Sequence, residues 1–139
     1  MPFVCPSFVT STRIGARCFV DFTLVQAVRY WTSARGLGHL EPIDLPVGMT
    51  SDLASIPRSC WSIPGFQPNG PIAPGALVHD GLYRATAITV GEPWTKADSD
   101  LVLLEWMQNA AMPILVQEAI YLAVRGEGQP AWDAGHTQA

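Results

Sequence analysis

The chain has 139 residues, of which 48% are hydrophobic and only 14% charged, against roughly 25% charged in an average soluble protein. That length suits one domain, and that much apolar side chain rules out intrinsic disorder. The net charge of −4, from seven Asp, five Glu, seven Arg and a single lysine, Lys96, excludes the basic stripe of a sequence-independent nucleic-acid binder.

In chain order, Met1-Pro2-Phe3-Val4-Cys5 lacks the basic and apolar blocks of a secretory signal, so synthesis in a cytoplasm is expected. No apolar run approaches the ~20 residues of a spanning helix, and no integral membrane segment is expected. Cys5, Cys18 and Cys60 have no metal-ligand spacing and an odd count, which reads as small thiols in a reducing compartment. Ile14 to Val28 is rich in β-branched and aromatic residues and predicts a strand, with Val25 to Thr32 continuing it. Turn residues over 33–38 then lead to an extended run, Leu40 to Val47, whose Pro42 and Pro46 suggest an edge strand. Residues 1–49 thus predict a small antiparallel sheet.

Residues 50–75 read as a long loop broken by Pro57, Pro64, Pro68, Pro71 and Pro74, with Trp61 and Phe66 available to pin it. Residues 76–126 read as three helices. Pro74 suits the first turn of a helix reaching about Ala85, and Thr95 suits the N-cap of a helix over Lys96 to Ala111. Pro113 starts the third, Ile114 to Val124, which ends at Gly126. Residues 127–139 read as a polar tail from which Trp132 could dock. The expected fold is a single α+β domain over residues 1–139.

Two clusters could carry chemistry. His79 and Tyr83, four apart on the first helix, project from one face that is otherwise apolar, so the imidazole needs a polar partner. Asp100 shares a face of the second helix with Leu103, Leu104, Met107 and Lys96, and a carboxylate on such a face must be paired. Antiparallel packing of these helices would bring Asp100 to His79. A His–Asp pair can orient a general base, and it can equally fasten two helices. The second cluster is Asp52, Ser55 and Arg58 in Ser51-Asp52-Leu53-Ala54-Ser55-Ile56-Pro57-Arg58, where an Asx-turn locked by Arg58 on Asp52 or Asp80 is the simpler reading. Ser55 lacks the G-x-S-x-G context of a serine hydrolase, and zinc and phosphate-loop motifs are absent.

These segments resemble the T-D-x-A-S-x-P-R and H-D-x-L-Y boxes of a family of small phage and prophage proteins of unknown function. Ser51–Arg58 matches the first box with Ser51 for Thr, and His79-Asp80-Gly81-Leu82-Tyr83 matches the second. Lys96 to Asp100 is similar to a third, R-x-x-A-D, with Lys96 for Arg and Ser99 for Ala. The resemblance covers roughly 25–132 and implies a phage origin without an activity. A looser similarity is to the His–Asp helix of secreted phospholipases, without their calcium loop or disulfides. It implies His79 as base, Asp100 orienting it, Tyr83 beside them, and Asp80 with Asp52 holding a divalent cation such as calcium.

Low charge, five tryptophans and a long Pro/Gly loop fit a subunit with large protein contacts. The expectation is a virion component of the tail, baseplate or head–tail junction, partnered by other virion proteins or by its own copies. The alternative is an envelope-directed hydrolase, acting on peptidoglycan or lipid, built on His79 and Asp100.

Overall fold

The computed structural model describes residues 8–14, 17–24, 26–51 and 71–136. Strands β1 (Phe8–Ile14), β2 (Arg17–Leu24) and β5 (Thr50–Ser51) form one antiparallel sheet in the order β1-β2-β5. Strands β3 (Val28–Thr32), β4 (Glu41–Leu45) and β6 (Ile88–Thr89) form a second, in the order β3-β4-β6. Helices α1 (Ala73–Tyr83), α2 (Lys96–Asn109), α3 (Ile114–Glu127) and α4 (Gln129–His136) complete the α+β fold. Among the described residues no helix is long and apolar enough to cross a membrane.

The β3–β4 ladder shows how alternation sets the layers. Val28 pairs with Leu45, Tyr30 with Ile43 and Thr32 with Glu41, and all six side chains are buried. The intervening pair, Arg29 and Asp44, faces the other way and closes a salt bridge of 2.7 Å. A one-residue slip would exchange the two sets, so burial fixes this register.

Two strand expectations change. The run Ile14 to Val28 is broken, because β2 ends at Leu24 and the chain resumes as β3 after the exposed Gln26 and Ala27. The segment between the first two helices contributes β6, which makes β4 a central strand instead of an edge. Pro42 is tolerated there because β6 pairs only with Ile43 and Asp44.

Helix α1 is buried at every residue, with Pro74 in its first turn as expected. Two glycines let neighbours approach it. A Cβ on Gly75 would collide with the Trp106 ring of α2, and one on Gly81 would lie 2.8 Å from Leu45 Cδ2. Trp106 is held in place by donating from Nε1 to the Pro71 carbonyl at 2.8 Å. Thr95 caps α2 through a reciprocal capping box with Asp98.

The helical half holds four helices and not three, because residues 129–136 of the expected tail are helical. Gln129 Nε2 donates to Asp133 Oδ1 at 2.8 Å one turn on, and Trp132 docks edge-on against Tyr83 with centroids 5.3 Å apart. A tertiary contact thus holds a helix too short and polar to persist alone. The core between α1, α2, α3 and the β3–β4 sheet is filled by Ile43, Leu45, Leu77, Leu103, Met107 and Ile120, each worth roughly 1.5–3 kcal/mol when fully buried.

Candidate functional site

Helical spacing brings the first cluster together. His79 and Tyr83 lie one turn apart on α1, Lys96 and Asp100 one turn apart on α2, and Arg125 reaches in from the last turn of α3. Asp100 Oδ1 accepts from His79 Nε2 at 2.8 Å and from the Tyr83 hydroxyl at 2.5 Å. Its Oδ2 accepts from Lys96 Nζ at 3.0 Å and Arg125 Nη1 at 2.9 Å. Lys96 also donates to the carbonyls of Val124 and Arg125, closing the C-terminal end of α3 where free carbonyls favour a cation. One carboxylate therefore ties three helices.

The electrostatics follow. Burial alone would raise the Asp100 pKa, but hydrogen bonds from His79, Tyr83 and Lys96 outweigh it and hold the group at about 2. Burial, and then the Asp100 carboxylate, push the Tyr83 phenol above its ordinary value. An ionised carboxylate cannot donate, so the hydrogen between it and the imidazole belongs to Nε2. His79, Tyr83 and Asp100 are wholly buried. The Tyr83 and imidazole ring centroids lie 4.2 Å apart, and Trp132 of α4 packs edge-on against the Tyr83 ring. Gly128 allows this approach, since a Cβ there would sit 2.7 Å from the Tyr83 hydroxyl.

The other expected site residues divide. Asp80 is buried on α1 with Arg84 Nε 3.2 Å from its Oδ2. Asp52, Ser55 and Arg58 lie outside the described residues, as do Trp61 and Phe66. Among the described residues no group of three or more His, Cys, Asp or Glu side chains is placed to hold a metal ion.

Sequence reasoning missed two features. Arg125 belongs to the Asp100 cluster although no spacing on its own helix tied it to Asp100, whereas Lys96 was already expected on the Asp100 face, one turn away. Glu105 forms a second node on α2. Its Oε1 accepts from Tyr30 and Thr32 at 2.8 and 2.6 Å, and its Oε2 from the Ser33 amide and hydroxyl at 2.9 and 2.8 Å. This carboxylate locks β3 onto α2.

Residues 22–124 match the family model described as a protein of unknown function, DUF1353. No curated protein and no solved structure matches the chain.

Proposed function

The chain belongs to the DUF1353 family of proteins of unknown function, and we propose that it is a structural component of a phage particle, at the tail, baseplate or head–tail junction, held by other virion proteins. The phage assignment rests on the likeness of the Ser51–Arg58, His79–Tyr83 and Lys96–Asp100 segments to boxes of phage and prophage proteins. The structural role rests on one observation: Asp100 is wholly buried and accepts four hydrogen bonds from α1, α2 and α3. Such a network fastens helices. A general base must reach substrate or a water molecule, and His79 has no exposed surface.

His79→Ala, introduced into the phage genome, tests the reading. Loss of assembled particles, together with a lower melting temperature of the purified chain, is expected. Particles of normal composition that fail only in infection or envelope hydrolysis would overturn it in favour of an envelope hydrolase using His79 and Asp100. Absence of the wild-type chain from purified particles would overturn the virion assignment itself.

A further inference from the structure

Away from the Asp100 cluster, the loop after β3 and the loop after β6 enclose a groove of about 640 Å³. Leu37, Leu40 and Val90 line it, and each is about half exposed, at 54%, 46% and 54%. Exposed leucines on mobile loops would need no explanation. These loops are instead stitched together.

Arg35 makes the stitch. Its Nε and Nη2 fork onto the Glu41 carboxylate, Nη1 donates to the Glu92 carbonyl at 2.7 Å and Nη2 to the Val90 carbonyl at 3.2 Å. The guanidinium also stacks over the Trp94 ring, 4.4 Å from its centroid. Both partners of the ion pair are nearly buried, with side chains 8% and 6% exposed. Gly36, Gly38 and Gly91 turn the loops through left-handed backbone, at φ of 67°, 81° and 77°, where other side chains are strained. Apolar side chains held outward on a rigid frame lose little further entropy on binding.

Charge selects the occupant. Glu41 occupies the Arg35 fork, while Glu92 and Asp98 also line the groove and act on Arg35 with the same sign. Asp98 spends one oxygen on the Thr95 amide, and His39 is the remaining titratable group on the rim. The lining thus carries three carboxylates to one guanidinium.

We propose that this groove docks a segment of another virion protein in which an apolar side chain lies beside lysine or arginine. The proposal rests on the virion reading above and names the surface that carries the contact. Two capped peptides of equal length, one alternating leucine with lysine and one leucine with glutamate, are titrated into the full chain, followed by methyl NMR. The Leu/Lys peptide should shift Leu37, Leu40 and Val90, binding at least about tenfold more tightly than Leu/Glu and weakening with salt. Leu37→Ser with Val90→Ser, both at exposed positions and neutral in charge, should keep the melting temperature and abolish that binding. Equal binding of both peptides, binding insensitive to the double substitution, or self-association through the groove overturns the proposal. In particles, loss of the double variant but not the wild type is expected. Equal incorporation of both sinks the groove and leaves the virion reading intact, whereas absence of the wild type sinks the virion reading.

Discussion

Replacing Asp100 by asparagine keeps the side-chain shape and removes the charge. The wild-type carboxylate presents one oxygen to His79 and Tyr83 and the other to Lys96 and Arg125. An amide has a single oxygen, so its NH₂ must face either the two cations, which only donate, or the imidazole and phenol, which would have to turn from donor to acceptor. Removing one partner of a buried charge network costs about 3–5 kcal/mol. Titration supplies a second magnitude. The Asp100 carboxyl sits at about 2 against an ordinary 3.8, and at about 1.4 kcal/mol per unit this is worth about 2–3 kcal/mol. The folded value lies below the unfolded one, so the stabilisation is complete above about pH 4 and fades as pH falls toward about 2. Urea unfolding of wild type and Asp100→Asn should therefore differ by about 3–5 kcal/mol at neutral pH and by much less at about pH 2. A difference below about 1 kcal/mol at neutral pH, the range of an exposed ion pair, would refute the fastening role. So would a larger difference that persists unchanged in acid.

Gly75→Ala should destabilise the fold by about 1–3 kcal/mol in thermal unfolding, because the added methyl meets the Trp106 ring. Helix propensity alone would favour alanine by about 1 kcal/mol, so a stabilised variant would show that α1 and α2 are not in tight contact there. Glu105→Gln should cost about 1–3 kcal/mol by loosening β3 from α2. The Tyr30 phenol, raised first by burial and then by Glu105, should also ionise at lower pH in that variant, while burial keeps it above its ordinary 10. An ultraviolet titration identical to wild type would show that the carboxylate does not act on it.

Local chemistry determined the helices. The Thr95 cap, the prolines at 74 and 113 and the apolar spacing between them act over three or four residues, so the starts of α1, α2 and α3 fall where the sequence places them. The paired His79 and Asp100 were legible for the same reason, since each stands out as polar on an apolar helical face. Strand partnership was not legible, because pairing joins residues far apart. Only packing brings Ile88 and Thr89 beside β4 and so makes that strand central. Helix α4 is likewise tertiary, a polar segment held by Trp132 against Tyr83.

Length, composition and the two polar residues on apolar faces determined that this is an α+β chain with a His–Asp link between its first two helices. Only the tertiary structure shows what surrounds that link. It delivered Lys96 and Arg125 to the second oxygen of Asp100, and desolvation makes a carboxylate so placed depend on every one of its donors. It also converted two unremarkable loops into one framed groove, because the Arg35–Glu41 fork and the carbonyls of Val90 and Glu92 meet only when the chain has folded.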